Sequence, residues 1–209
     1  MVFHCSATFK NYKASSTIKT GVSPTSFPRR LTSGGLPSFA DSPIDYIRGM
    51  PISLSAIGRI HTPYAQAQGT PIQSSGNEDS QGTVEIFAEF AEGLKDLEGF
   101  ERIWLLYSFD RASEARLIVK PYLDPKPRGI FATRAPARPN HIGISAVRLL
   151  GIEGTVLRVA GVDMLDGTPL LDIKPYVPAF DHFPVTRVGW YKDSSPAGVV
   201  ADDRFEKQK

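Results

Sequence analysis

The sequence is poor in residues that form disulfides or metal sites. Cys5 is the only cysteine among 209 residues, which excludes a disulfide within the chain and a site built from several thiolates. The histidines stand far apart, at positions 4, 61, 141 and 182, without the spacing of zinc ligands. We therefore predict no bound metal, and a reducing, cytoplasmic location.

Long apolar runs and a strong net charge are also missing. No run approaches the roughly 18 to 20 apolar residues of a membrane-spanning helix, so we expect no membrane association. The formal net charge of +2 is small for a nucleic-acid-binding protein, so any such contact must come from a local cluster. The glycine fingerprints of P-loop and Rossmann proteins and the nucleophile elbow of hydrolases are absent from the sequence.

The two ends of the chain differ from its middle. The first 40 residues contain lysine, arginine, serine and threonine but no acidic residue, a bias that resembles an organellar transit peptide. A disordered tail, or translation that naturally starts at Met50, explains the same bias. We exclude residues 1–49 from the fold as a disordered or non-native extension, and we interpret residues 192–209 as a mobile polar tail.

The middle of the chain, residues 50–191, has the pattern of many short strands. Apolar residues alternate or cluster in runs of strand length that proline and glycine separate. Only AEGLKDLEGF has the apolar spacing of a short helix. The pattern predicts a mainly β, non-Rossmann fold: a small antiparallel barrel, partly open, with one or two short helices. The strand-like segments are PISLSAIGRI, TVEIFAEF, ERIWLLYSFD, EARLIVKPYL, TPLLDIKPYVP and the hairpin of ISAVRLLGIEG with TVLRVAGVDML.

A basic, proline-rich segment is the first candidate site. Between Arg116 and Arg138, six basic residues accompany a single acid, Asp124. Guanidinium groups bind phosphate and carboxylate in bidentate fashion. A solvated basic loop is the alternative, but Pro136 and Pro139 stiffen the chain and lower the entropy lost on binding, which favours a ligand site.

An acidic turn is the second candidate. In DMLDGTPLLDIKP, the LDGTP stretch is a strong turn signal, so a plain hairpin connection is one interpretation. Asp163, Asp166, Asp172 and Lys174 nevertheless supply more ionisable groups than a chain reversal requires. Carboxylates here are suited to accept hydrogen bonds from a ligand amine or ribose.

Together, GIFATRAPARPNHIGISAVRLL and DMLDGTPLLDIKPYVP closely resemble the TsaA-like family, also called YaeB or VirR proteins, and the resemblance extends over about Leu54 to Asp181. It implies a small β-barrel unlike Rossmann methyltransferases. It also implies S-adenosylmethionine as cofactor, bound near a homodimer interface. The implied reaction is methylation of N6 of threonylcarbamoyladenosine, beside the anticodon of tRNA.

The chemistry of the implied reaction suggests roles for individual residues, and the resemblance implies the cofactor contacts. Asp166 is the candidate catalytic residue, which either orients the cofactor or accepts the N6 proton. Arg138, Asn140 and Lys174 are candidates for holding tRNA phosphate or the threonyl carboxylate, although Lys174 and Asp172 are equally interpretable as a structural ion pair. The implied cofactor contacts are Pro71, Ile72, Gln73, Phe109, Asp110, Arg134, Ile144, Met164, Leu165, Asp166 and Gly167.

Three departures from the family pattern keep other functions open. Ile72 replaces the usual arginine, and His141 replaces a second proline, where its ring either contacts nucleic acid or fills space. The longer family members carry a C-terminal domain with no counterpart in this sequence. The alternatives are a methyltransferase of the same fold with another substrate, and a non-catalytic module that binds S-adenosylmethionine or RNA.

Overall fold

The computed structural model describes residues 52–193 and 198–207. They form the strands β1 Gly58–His61, β2 Gln81–Ile86, β3 Arg102–Ser108, β4 Ile118–Val119, β5 Arg128–Gly129, β6 Ile142–Glu153, β7 Val156–Ala160 and β8 Thr168–Pro175. Six of these strands close into an antiparallel barrel, in the order β1-β2-β7-β6-β3-β8, and β4 and β5 form a separate two-stranded sheet.

The core fills the inside of the barrel. In β3, buried residues alternate with half-buried ones, because successive side chains of a strand point to opposite faces. The inward side chains of the other strands meet those of β3 and complete one apolar cluster. Its fully buried members include Ile60, Val84, Ile103, Leu105, Val147, Leu157, Val159 and Leu170.

The barrel is closed, whereas the sequence predicted a partly open one. Strand β1 pairs with β2 on one side and with β8 on the other, where Gly58 lies opposite Leu170 and Ile60 opposite Thr168. The strand is only four residues long, and its partner β8 follows more than a hundred residues later. Pairing at that separation has no local signal, which is why the sequence pattern left the edge open.

The hairpin and helix predictions had different outcomes. The predicted hairpin is confirmed: β6 and β7 pair in antiparallel register around Gly154, whose φ of 62° suits glycine in a tight turn.

The single predicted helix is instead two 3₁₀ helices, Ala88–Leu94 and Leu97–Gly99. Asp96 separates them with a left-handed φ of 64°, which interrupts helical hydrogen bonding. The one-turn helix α1 spans Pro178–Asp181.

Two further segments differ from their predicted form. The strand expected in EARLIVKPYL shrinks to the two residues of β4. In the region expected to be a polar tail, residues 198–207 lie against the domain. Phe205 is only 4% exposed and packs with Val119 and Ile130 in a second apolar cluster outside the barrel. The buried Phe205 ring and backbone pairing with two loops hold this segment in place.

The predictions for residues 1–49 lie outside the described residues. Within the described part of the chain, no helix is long and apolar enough to cross a membrane.

Candidate functional site

A cavity of about 660 Å³ lies at the end of the barrel where β3 finishes and β6 and β8 begin. Adjacent strands therefore deliver their loops to a single place. The walls combine apolar surface with a few polar groups. They include Pro71, Ile72 and Gln73 before β2; Tyr107, Phe109 and Asp110 at the end of β3; Arg134, Ala135, Pro136 and Arg138; Ile142, Gly143 and Ile144 in β6; and Asp163, Met164 and Leu165 before β8.

The cavity gathers the predicted cofactor residues with two exceptions, Asp166 and Gly167. Among the predicted substrate residues, Arg138 lines it, whereas Asn140 and Lys174 do not. The basic segment and the acidic turn, separated by the 24 residues 139–162, thus meet at one site. The barrel register explains their meeting, because β3 lies between β6 and β8.

Hydrogen bonds connect the loops around the cavity. The Arg134 guanidinium donates to Gln73 Oε1 at 2.6 Å and so joins the proline-stiffened segment to the long loop between β1 and β2. The backbone N–H of Phe109 donates to the carbonyl of His141 at 2.7 Å and joins the end of β3 to the start of β6. Each of these bonds joins two cavity-lining segments that are far apart in the sequence.

A chain of hydroxyl groups leads from the barrel core to Asp163 at the cavity. The Ser145 hydroxyl donates to Asp163 Oδ1 at 2.6 Å, and the Tyr107 hydroxyl lies 3.1 Å from Ser145 Oγ. Since Ser145 uses its proton toward Asp163, Tyr107 donates to Ser145. Burial raises the pKa of Tyr107 above its ordinary value, which keeps that hydroxyl protonated.

The Asp163 carboxylate has an unusual proton affinity. Burial raises its pKa to about 6, against the lowering effects of the Ser145 hydrogen bond, the Ser74 backbone N–H and the positive charge of Arg134. A carboxyl group of this kind changes its ionisation close to neutral pH. It is suited to accept a proton from a bound ligand as well as a hydrogen bond.

Sequence reasoning placed Asp163 among the carboxylates of the acidic turn that could bind a ligand, but not among the candidate cofactor or catalytic residues. It missed Tyr107 and Ser145 entirely. A signal was present in β6, where Ser145 occupies the same face as the buried Val147 and is only 3% exposed. A polar residue at an inward strand position requires a hydrogen-bonding partner.

Asp166 lies on the turn beside the cavity. Its Oδ1 accepts a hydrogen bond from the Thr62 backbone N–H at 3.1 Å and lies 3.3 Å from His61 Nδ1, and its side chain is 49% exposed. The Arg111 guanidinium donates to its backbone carbonyl. Gly167 follows with a φ of 78°. These contacts shape the connection between β7 and β8.

The other predicted substrate residues have contacts of their own. The Arg138 guanidinium donates to the carbonyls of Thr133 at 2.9 Å and Ile130 at 3.2 Å, so it stabilises its own segment. Lys174 pairs with Asp172 at 2.8 Å on the surface, which is the ion pair of the alternative interpretation. Asn140 is exposed.

His141 has a structural contact. Its φ is 49°, and its Nε2 lies 3.0 Å from the Ser113 carbonyl oxygen. The ring thereby bridges the segments that precede β6 and follow β3. Proline, which the family pattern has at this position, cannot adopt a positive φ.

Comparison with known proteins identifies the family. Residues 59–182 match the family described as the tRNA-methyltransferase O N-terminal domain. The chain belongs to this family. Membership confirms the resemblance inferred from the two motifs and accounts for the barrel that carries them.

The relatives include proteins with assigned names. A probable S-adenosyl-L-methionine-binding protein of Pyrococcus abyssi is 57% identical over 134 residues, which cover 64% of this chain and 73% of that protein. A tRNA (adenine(37)-N6)-methyltransferase of Escherichia coli is 34% identical over 155 residues, which cover 69% of this chain and 66% of the enzyme.

A solved structure shows the same fold. The crystal structure of TrmO from Pseudomonas aeruginosa is 40% identical to this chain and superimposes with a TM-score of 0.57. The match covers 68% of this chain and 63% of that one. The chain therefore matches less than two thirds of the length of this solved family member.

Part of the cavity wall lies outside the family match, which ends at residue 182. Two later segments contribute: residues around the 3₁₀ helix Gly189–Asp193 and residues of the segment 198–207. The contributing side chains are Val188, Trp190, Tyr191, Ala201, Phe205 and Glu206.

Proposed function

We propose that this chain is an S-adenosylmethionine-dependent methyltransferase that modifies N6 of adenosine 37 in tRNA, with threonylcarbamoyladenosine as the preferred form of that base. The observation that carries the proposal is the convergence of both family motifs on a single cavity. Family membership and the names of the relatives support the reaction.

The cavity suits the proposed cofactor in size and chemistry. Its volume, about 660 Å³, lies within the roughly 300 to 1,000 Å³ typical of sites for small organic ligands. Apolar side chains such as Ile72, Ile144 and Met164 would contact adenine and the methionine carbon atoms. Polar groups of Gln73 and Asp110 would bind its hydrogen-bond donors. When bound, S-adenosylmethionine supplies a methyl group activated by its sulfonium charge.

The protein's own contribution to the reaction centres on a proton. N6 of the target adenosine carries a proton that must leave when a methyl group is added, because the nitrogen would otherwise keep a positive charge. Asp163 is our candidate acceptor: its pKa of about 6 makes it a stronger base than an exposed aspartate, yet leaves it mostly ionised at neutral pH. Ser145 and Tyr107 hold its carboxylate in place.

The structure favours Asp163 over Asp166 for this role. Asp163 lines the cavity, whereas Asp166 binds the Thr62 backbone beside it. We propose that Asp166 acts on the site by stabilising the turn that holds Met164 and Leu165 against the cavity. Both carboxylates come from one motif, so the family pattern alone does not separate them.

The tRNA is expected to approach exposed side chains around the barrel. Asn140 and Lys174 remain our candidates for contacts with phosphate or with the threonyl carboxylate, since both are exposed. Asn140 stands just before β6, at the cavity end of the barrel, whereas Lys174 lies opposite Trp104, away from that end. Arg138 supports the segment before Asn140 from within, through the carbonyls of Ile130 and Thr133.

We also propose that the protein forms a homodimer. Three large apolar side chains are exposed on and beside the β4–β5 sheet: Leu117 at 67%, Ile118 at 64% and Phe131 at 77%. Apolar side chains grouped on a surface are typical of a subunit interface. Sedimentation equilibrium of the purified protein tests the proposal, and a monomer at micromolar concentration would contradict it.

One experiment tests substrate and reaction together. The protein is incubated with methyl-labelled S-adenosylmethionine and tRNA that either carries or lacks the threonylcarbamoyl group, and the tRNA is then digested to nucleosides. We expect label on the modified adenosine alone. Equal labelling of unmodified adenosine would refute the preferred substrate. Tight binding of the donor without any labelled nucleoside would indicate a binding module.

A further inference from the structure

The segment 198–207, which we call the C-terminal strap, crosses two loops that carry proposed cofactor contacts. Its first half pairs with the long loop between β1 and β2. Val200 forms an antiparallel bridge with Pro71. The N–H of Ala201 donates to the Thr70 carbonyl at 2.7 Å, and the N–H of Gly69 donates back to the Ala201 carbonyl at 3.0 Å.

The second half of the strap pairs with the loop that follows β3. Glu206 forms an antiparallel bridge with Ala112. The N–H of Ser113 donates to the Phe205 carbonyl at 2.7 Å, and the N–H of Lys207 donates to the Arg111 carbonyl at 3.0 Å. A single ten-residue segment thus links the loop of Pro71 to Gln73 with the loop of Phe109 and Asp110.

Phe205 anchors the strap. Its ring is 4% exposed and meets the Tyr122 ring edge-on, with 5.3 Å between ring centroids. The Arg116 guanidinium lies 5.6 Å above the Phe205 ring. Burial of its apolar surface stabilises the strap against the domain. The anchor therefore gives the neighbouring Glu206 a defined position.

Glu206 lines the cavity with a carboxylate that is only partly used. Its Oε1 accepts a hydrogen bond from the Ala67 N–H at 2.9 Å. Within residues 52–193 and 198–207, no hydrogen bond to Oε2 is found. Glu206 is a half-buried residue of the cavity wall, and a carboxylate oxygen without a partner is a ready acceptor for a ligand N–H or O–H group.

We infer that the C-terminal strap, which lies beyond the family match, is part of the cofactor site, and that Glu206 accepts a hydrogen bond from the bound adenosine-containing ligand. The inference rests on the proposed function. The strap contributes one wall and holds the two cofactor loops together, and Glu206 adds a charged acceptor that the family motifs do not include.

The full-length Glu206→Gln variant tests the inference, with Asp203→Asn as its matched control. Both changes convert a carboxylate to an amide on the same strap, but Asp203 is exposed and does not line the cavity. The amide oxygen of Glu206→Gln would still accept from the Ala67 N–H. By titration calorimetry with S-adenosylmethionine, we expect Kd to rise about tenfold or more for Glu206→Gln, as for loss of a charged hydrogen bond. We expect a change below about twofold for Asp203→Asn.

A second measurement covers the case in which a variant is unstable. Hydrogen exchange of the unaltered protein should slow at the amides of Ala201 and Ser113 when S-adenosylmethionine is added, because the ligand would contact the wall that these hydrogen bonds hold. Unchanged exchange, or equal affinity loss in both variants, would overturn the role of the strap.

The same experiments separate this inference from the proposed function. If the unaltered protein binds the donor while Glu206→Gln binds it equally well, the role of Glu206 is refuted and the proposed function stands. If the unaltered protein binds no donor, the proposed function is refuted and the inference falls with it.

Discussion

Replacement of Gly143 by alanine should disrupt the site from within the barrel. Gly143 lies opposite Tyr107 in the pairing of β6 with β3. A Cβ atom at position 143 would lie 2.2 Å from Cε2 and 2.5 Å from Cζ of the Tyr107 ring. These distances are far below van der Waals contact, so the ring or the strand must move.

The ring has little room to move. Tyr107 is 3% exposed, and it packs edge-on against Phe109 with 5.3 Å between ring centroids. Overpacking of a filled core costs about 1 to 3 kcal/mol, and loss of the Tyr107 hydrogen bond to Ser145 adds about 1 kcal/mol. We therefore expect Gly143→Ala to lower the free energy of unfolding by about 2 to 4 kcal/mol.

Urea denaturation measures this change, and calorimetry with S-adenosylmethionine measures its effect on the site. Gly129→Ala is the matched control, since Gly129 is also in a strand and an added Cβ there meets no atom within 4 Å. We expect the control to change stability by less than about 0.5 kcal/mol, as is usual for surface substitutions. Equal stability of Gly143→Ala and the unaltered protein would refute the packing argument.

Variants of Asp163, Asp166 and Arg138 test the roles proposed for these side chains. Asp163→Asn should slow methyl transfer at least about 100-fold, the lower end for loss of a general base, while the affinity for the donor changes less. Single-turnover assays measure the rate and calorimetry measures the affinity. An unaffected rate would exclude Asp163 as the proton acceptor. In the unaltered protein the rate should rise as the pH passes through about 6, where Asp163 ionises. Because the pKa of Asp163 is raised in the folded state, its ionisation opposes folding. The free energy of unfolding, relative to that of Asp163→Asn, should therefore fall as the pH rises from about 4 to about 7. The opposite slope in urea titrations would contradict the assignment. Asp166→Asn should leave the rate within about threefold, because an amide oxygen can accept the hydrogen bond that Asp166 Oδ1 accepts in the turn. A loss of rate like that of Asp163→Asn would reverse our choice between the two carboxylates. Arg138→Ala should weaken tRNA and donor binding together, because it removes the hydrogen bonds that shape the Ile130 to Thr133 turn. Filter binding measures the affinity for tRNA, and calorimetry measures the affinity for the donor. Loss of tRNA binding alone would indicate a direct contact between Arg138 and the tRNA.

Much of the strand pattern was predictable because it is local. Alternation of apolar residues in IWLLY marks β3, and the glycine between two apolar runs marks the β6–β7 hairpin. The interruption of the predicted helix at Asp96 was not predictable from the local pattern: Asp96 has a left-handed backbone, and Leu94 and Leu97 on either side of it pack against the barrel core. The packing of residues 198–207 depends similarly on distant segments, through the burial of Phe205 and the backbone bridges to Pro71 and Ala112.

The sequence by itself determined the family, the barrel class and the two motifs that carry the proposed site, because motif order and strand periodicity are properties of the chain. The tertiary structure decided which carboxylate of the acidic turn lines the cavity. Asp163 and Asp166 stand three residues apart in one motif, and only closure of the barrel places Ser145 and Tyr107 beside the first and Thr62 beside the second. The tertiary structure also decided that residues 198–207 form a wall of the cavity. Their backbone pairs with loops that are distant in sequence, and such pairing has no local sequence pattern that could predict it.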